Sequence, residues 1–330
     1  MALTRREALG LAATPLASLA FTGGIARAAG GLDEITVDYA YYNPLSLILK
    51  QNGWLERALA ANGTKLNWVL SLGSNKANQY LASGSAQFGS TAGSAALLAR
   101  ANGIPLRTVF LYSQPEWTAI VVGKNSPLKN LRDLKGKKIA ATRGTDPWFF
   151  LLRALASAGL SSQDVQIVEL QHPDGRVALE RGQVDAWAGL DPHMAASQLD
   201  AGSHLLYRNI AWNTYGALNV REDFIAAHPD VVRIVLRSYE LAHAYARTHP
   251  LQTAQILAQA SNLDLRVAQL VISERTKFPD PVPGKAYLDA VGGTIPVIRS
   301  EQLVADVGSV QSALGSLVDA APARVALAHA

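Results

Sequence analysis

Between residues 35 and 101 the chain three times runs a short apolar stretch into small polar residues and then into a helical pattern. Ile35–Tyr42 alternates as a strand, and Asn43-Pro44 ends it and opens a helix. Leu66–Leu70 leads into Leu72-Gly73-Ser74-Asn75 and a helix from about Lys76 to Ala82. Gln87–Gly89 leads into Ser90-Thr91-Ala92-Gly93-Ser94 and the helix Ala95–Ala101. Such alternation demands an α/β fold on parallel strands, with ligand sites beyond the C-terminal strand ends.

The same pattern is densest in Leu131–Trp148. Lys135-Gly136-Lys137 reads as a turn, Ile139–Ala141 as a buried strand, and Thr142-Arg143-Gly144-Thr145 as a small hydroxylic loop. Asp146-Pro147 then gives an N-cap residue followed by proline at the first helical position. A guanidinium in a loop at a helix N-terminus is suited to an oxyanion. A plain strand-to-helix connection with a surface arginine uses the same residues.

Downstream, Thr108–Tyr112, Ala119–Val122, Val165–Leu170 and Asp185–Gly189 read as strands. His172-Pro173-Asp174-Gly175 reads as a polar loop before the helix Arg176–Arg181, and Asp191 as the cap of another helix. Leu205–Tyr207 and Ala217–Val220 flank the loop Trp212–Gly216. Helices are predicted over Val231–Thr248, Leu251–Ala260 and Leu265–Glu274, then beyond a proline-rich connection, Phe278–Gly284.

The first 28 residues read as an export leader. Arg5-Arg6 precede a weakly apolar run, Leu9–Phe21, and Ala26-Arg27-Ala28 supplies a small-residue cleavage site after Ala28. The arginine pair is similar to a twin-arginine signal, although Ala8 and Gly10 replace that motif's usual Phe and Lys. The chain has no cysteine, which excludes lipidation of the leader, disulfides, and thiolate nucleophiles or metal sites. Losing three arginines and one glutamate with the leader brings the formal charge from +4 to +2. That near-neutral balance, without a basic stripe, gives no basis for nucleic-acid binding. Roughly 300 residues remain, enough for two globular lobes.

SNKANQYLASGSAQFGSTAG, SPLKNLRDLKGKKIAATRGT, ALERGQVDAWAGLDPHMA and FIAAHPDVV follow in that order. Together they resemble the periplasmic substrate-binding proteins of ABC importers for alkanesulfonates, a group with relatives for taurine and sulfate esters. LKGKKIA indicates the fold, while FGSTAG and VDAW followed by DP indicate the sulfonate branch. The resemblance implies a two-lobed α/β fold of type II, mixed sheets flanked by helices with a ligand cleft between. Lobe one would be 29–118 with 218–330, and lobe two 119–217. It further implies a monomer, no enzyme, capture of aliphatic sulfonates as a sulfur source, and delivery to a permease and ATPase in the inner membrane. Sulfate esters, taurine, nitrate and bicarbonate stay open as other anions. Thiamine-pyrimidine synthases have a related fold, but their cysteine-rich motif is missing here.

A sulfonate stays ionised, so it calls for donors: backbone N–H groups, hydroxyls, amides and arginine. One helix end contributes only ~0.3–1 kcal/mol, against about 8 kcal/mol for micromolar affinity, so several must converge. Ser74, Asn75, Thr91, Ala92 and Gly93 are the candidates from lobe one, and Arg143, Gly144 and Thr145 from lobe two. Thr91 and Gly93 would serve equally as ordinary caps, and Arg143 as a latch pairing Asp146 or Glu116. Tyr42, Trp117, Trp148 and Tyr215 are candidate tail walls or core, as are Tyr41 and Trp187; Asn43 and Asp191 stand at the same strand ends. Where the resembled family commonly has a second tryptophan before DP and a tyrosine after it, this chain has Leu190 and His193. The smaller Leu190 leads to the expectation of a roomier pocket for bulky or aromatic tails. No histidine pair has metal-ligand spacing, and no cofactor motif is present.

Overall fold

The computed structural model describes residues 32–328; the leader expected over 1–28 and its cleavage site lie outside them. Two sheets organise the described chain. The chain opens with β1 (Glu34–Tyr39), α1 (Pro44–Asn52), α2 (Trp54–Ala60), β2 (Lys65–Leu70), α3 (Ser74–Ser83), β3 (Phe88–Ala92), α4 (Gly93–Ala101) and β4 (Leu106–Pro115). It then builds the second sheet through β5 (Thr118–Val122), β6 (Lys138–Ala141), α5 (Asp146–Ser157), β7 (Gln166–Glu169), α6 (His172–Glu180), β8 (Ala186–Leu190), α7 (His193–Ala201) and β9 (His204–Tyr207). It returns to the first with β10 (Gly216–Arg221), followed by α8 (Glu222–Ala227), α9 (Pro229–Thr248), α10 (Pro250–Ser261), α11 (Leu265–Gln269) and β11 (Thr276–Lys277). Four helices close the chain: α12 (Lys285–Gly292), α13 (Ile295–Ser300), α14 (Val307–Gly315) and α15 (Ala321–Leu327).

The first sheet has the order β11-β4-β10-β3-β1-β2 and the second β7-β6-β8-β5-β9. β1 runs parallel to β2 and β3, whereas β10 is antiparallel to β3 and β4. Likewise β6 is parallel to β7 and β8, while β5 is antiparallel to β8 and β9. Every residue of β3, β5 and β8 is buried, as central strands covered on both faces require. The long α9 turns Val231, Val235, Leu236, Tyr239, Ala242 and Ala246 inward at three- and four-residue spacing. One apolar cluster joins Leu97 and Leu111 of the first sheet's layers to Ile120, Phe150 and Leu152 of the second's, so the two halves share packed core.

Several local expectations change. β1 stops at Tyr39, and Ala40–Asn43 form an isolated bridge in a tight turn, with Asn43 capping α1 as the Asn-Pro pair requires. β3 runs on to Ala92 and α4 begins at Gly93, so no loop separates them. Thr145, not Asp146, is the N-cap residue of α5. His172 belongs to the first turn of α6 instead of a polar loop, with its proline inside that turn. The helix predicted to Glu274 turns π-helical from Leu270. The two-residue β11 is too short for any sequence pattern to show.

Candidate functional site

The helices that follow strands of the two sheets meet N-terminus to N-terminus. α4 of the first sheet faces α5 of the second, and α3 faces α6. The two junctions differ in how their polar groups are satisfied.

At the α4–α5 junction a carboxylate of the protein itself sits between the helix ends. Asp146 is 3% exposed. Its Oδ1 accepts from Ser94 Oγ of α4 and from Thr214 Oγ1 at 2.8 Å. Its Oδ2 accepts from Trp117 Nε1 and from the Thr214 backbone N–H, both at 2.9 Å. Trp117 and Thr214 lie on the two connections that carry the chain between sheets, so this one group ties both crossings to both helix layers. Thr145 turns its hydroxyl back to Thr142 O at 2.6 Å.

The neighbouring candidates are engaged internally. Thr91, fully buried in the extended β3, donates to Ala92 O and accepts from Asn219 Nδ2 at 2.7 Å. The Ala92 N–H goes to Ser74 Oγ at 2.9 Å, and the Gly93 N–H to Tyr215 O at 3.0 Å. A Cβ at Gly93 would lie 2.5 Å from Val291 and 2.8 Å from Tyr287, so close packing against α12 accounts for that glycine. Asn43 donates to Ser90 Oγ at 2.7 Å, and Tyr42 to Ser90 O at 3.0 Å. Tyr42 also meets Trp117 edge to face at 6.0 Å, and Tyr215 meets Tyr287 at 5.9 Å.

At the α3–α6 junction the balance is reversed. His172 is fully buried, and its Nδ1 lies 3.3 Å from Thr142 Oγ1. Its Nε2 has no partner, and neither do Asn75 Oδ1, Gln171 Oε1 and Trp148 Nε1. A Cβ on Gly73, the N-cap residue of α3, would stand 2.8 Å from Asn75 Oδ1 and 3.4 Å from His172 Nε2. The missing side chain therefore lets the two helix ends approach closely. Burial, reinforced by His193, pushes the His172 pKa down to about 3, so the ring is neutral. His193, facing Tyr41 at 6.4 Å, is held down to about 4 by burial and Arg176. Beside this junction Arg143 lies 5.4 Å above the Trp148 ring and 3.6 Å from Glu169, its side chain 63% exposed. Arg143 therefore latches neither Asp146 nor Glu116: the first is surrounded by other donors, and the second pairs with Arg208. Gly144 bridges to Thr145 in the left-handed region at φ 76°.

A third contact links the halves. Arg275 sends Nη1 to both Asp191 oxygens at 3.1 and 3.2 Å and Nη2 to Gln198 Oε1 at 2.6 Å. Asp191 also accepts the Ala195 N–H of α7 at 2.8 Å, and burial raises its pKa against the pull of Arg275. Tyr41, Tyr42, Trp117, Asp191 and Arg275 line a cavity of about 10 Å³, room for roughly one water. Leu190, expected to widen the pocket, does not line this cavity. Leu190 is 5% exposed and belongs to the same apolar cluster as Tyr42 and Trp117, so it is core.

His172 and Arg275 are what sequence reasoning missed. His172-Pro173 repeats the helix-start pattern of Asn43-Pro44, a signal that was available; Arg275 follows a π-helical turn and carries none. Among the described residues no group of three or more His, Cys, Asp or Glu is placed to hold a metal ion.

Known proteins match this architecture. The alkanesulfonate-binding protein SsuA from Xanthomonas axonopodis pv. citri, solved bound to MOPS, superposes with a TM-score of 0.78 at 27% identity. The match covers 86% of this chain and 99% of that one. A Bacillus subtilis protein named for binding aliphatic sulfonates is 32% identical over 230 residues, 68% of this chain and 69% of its own. The taurine-binding periplasmic protein of Escherichia coli is 28% identical over 247 residues, 72% of this chain and 71% of its own. The fold is thus the two-lobed α/β fold of periplasmic binding proteins. The NMT1/THI5-like profile matches residues 50–253, and with these relatives it places the chain in the NMT1/THI5-like family.

Proposed function

We propose that this chain is the periplasmic solute-binding component of an ABC importer and that it captures a small organosulfonate, as a sulfur source, between its two lobes. Lobe one comprises 29–118 with 218–330, and lobe two 119–217. The protein acts as a monomer that hands its ligand to a permease and ATPase in the inner membrane, and it catalyses no reaction. The observation that carries the reading is the α3–α6 junction. Buried polar groups there lack partners, although almost all such groups in folded proteins have them.

The candidate contacts divide accordingly. Asn75, Trp148, Arg143 and Gly144 lie at or beside this junction and are the proposed ligand contacts. Ser74, Thr91, Ala92, Gly93 and Thr145 hold the surrounding strands and helix ends in place. Tyr42, Asn43, Trp117, Leu190, Asp191 and Tyr215 form the packed wall behind them. With Leu190 already in core, a short tail suits the cleft better than a bulky aromatic one. The names of the relatives support the sulfonate class, and taurine is the second ligand to test.

Thermal-shift screening of the mature protein against short and bulky sulfonates, sulfate esters, taurine and nitrate tests this. A true ligand at one hundred times its Kd stabilises by about 2.7 kcal/mol. Short sulfonates are expected to raise Tm most. If no sulfonate shifts Tm while nitrate does, the assignment is wrong.

A further inference from the structure

Among the described residues the backbone passes between the sheets twice, outward through Glu116 and Trp117 and back through Asn213 and Thr214. Arg275 adds a third tie that is not covalent. Its backbone belongs to the first sheet. The Arg275 carbonyl accepts the Glu116 N–H at 2.7 Å, and the next two residues pair with Pro115 and Gln114 of β4. Its side chain reaches the other half. Nη1 donates to both oxygens of Asp191, directly after β8, and Nη2 donates to Gln198 of α7. Asp191 in turn gives its N–H to Trp117 O at 2.9 Å, so the guanidinium spans the outward connection from one side to the other. The side chains of Arg275 and Asp191 are only 8% and 3% exposed, and a buried ion pair is costly to separate.

The same residues are poorly placed to touch a ligand. The adjoining cavity of about 10 Å³ admits one water and no sulfonate. Both Nη atoms of Arg275 are already engaged, and the Asp191 carboxylate beside them would repel an anion. We propose that Arg275 is a positioning residue for ligand binding: its clasp on Asp191 and Gln198 holds the lobes closed without contacting the ligand. In that arrangement the N-terminus of α4 meets that of α5. The proposal rests on the two-lobed binding reading above. Opening the lobes about the two connections pulls a side chain anchored in lobe one away from its acceptors in lobe two. A ligand that binds the closed form then gains apparent affinity in proportion to the closed fraction.

Small-angle X-ray scattering of the mature protein, with and without propane-1-sulfonate, and calorimetric titration with the same probe separate closure from contact. Arg275→Met removes the clasp, while Gln198→Leu removes one acceptor and keeps the ion pair. Without the probe, Arg275→Met is expected to have a larger radius of gyration than the parent. Saturating propane-1-sulfonate should restore the parent's value, with affinity about tenfold weaker. Gln198→Leu should move both quantities the same way, with affinity about threefold weaker. Those changes are the scale of hydrogen bonds made by a charged group. A merely structural role would lower Tm and leave the radius without the probe unchanged. Equal radii for the parent and both variants overturn the clasp, and so does a loss of affinity without any change in radius. Affinity that survives in both variants overturns the role in binding. Should Arg275→Met fail to fold, Gln198→Leu decides alone, because its buried charges stay paired. If propane-1-sulfonate binds none of the proteins, the sulfonate reading falls. The radii without the probe then still decide the clasp, larger in the variants if it holds and equal if it does not.

Discussion

The α4–α5 and α3–α6 junctions are built alike, from pairs of helix N-termini that meet between two sheets, and they are completed differently. In the first, Asp146 supplies an anion from within the chain and takes four hydrogen bonds. In the second, His172, Asn75 and Trp148 leave polar atoms unmatched. The difference teaches that a helix end by itself does not identify a ligand site. What identifies it is whether the protein already provides the complementary group. By that measure the first junction is a fastening between the two sheets' helix layers, and the second is the one we propose for a ligand.

Asp146→Ala is the strongest way to break this comparison. It would leave Trp117 Nε1 and the Thr214 N–H buried without an acceptor on the two connections between sheets. Hydrogen bonds to a charged group contribute about 1.5–3 kcal/mol each, and their losses do not add fully. A stability loss of at least about 3 kcal/mol is expected in urea unfolding, whereas Asn75→Ala should change stability by less than about 1 kcal/mol. Comparable losses from the two variants would remove the distinction.

Asp38 probes a carboxylate that is only half satisfied. Its Oδ1 accepts from Ser90 N and Oγ, both at 2.8 Å, while Oδ2 has no hydrogen-bond partner. Burial outweighs those bonds and raises its pKa from 3.8 to about 6. The folded state thus holds the proton more tightly than the unfolded one, and this group's contribution to stability is full below pH 3.8 and lost as pH rises through 6. His172 and His193, lowered to about 3 and 4, act in the opposite sense, stabilising above pH 6.5 and weakening the fold on acidification. The informative quantity is therefore the Asp38→Asn stability minus that of the parent. It should grow by roughly 2.4 kcal/mol between pH 4 and pH 7. A difference that stays level with pH would show that Asp38 is solvated well enough to ionise normally.

The smallest stability effect is expected at Arg143. With its side chain 63% exposed and 3.6 Å from an equally exposed Glu169, it holds little of the fold together. Arg143→Ala should alter stability by no more than about 0.5 kcal/mol. Loss of sulfonate affinity by about tenfold or more in that variant would then be assignable to a contact with the ligand. Unchanged affinity would confine the site to the buried groups of α3, α5 and α6.

Local physics fixed much of this protein before any tertiary contact formed. The alternation of strands and helices, the capping of α1 by Asn43 with Pro44 behind it, and the buried runs of β5 and β8 follow from backbone preferences and hydrophobic period. Those properties depend on residues within a few positions of one another, so the sequence displays them. Which polar groups remain available is another matter. Thr91 is matched by Asn219, Asp146 by Ser94 and Thr214, and Asp191 by Arg275. Those partners lie 128, 52, 68 and 84 residues away. Only the folded topology brings them together, because side-chain hydrogen bonds depend on distance in space and carry no trace in local sequence pattern. The sequence by itself therefore determined the scaffold and the helix ends that face the cleft. The tertiary structure decided that one junction is closed by Asp146 and that the other keeps His172 and Asn75 unmatched.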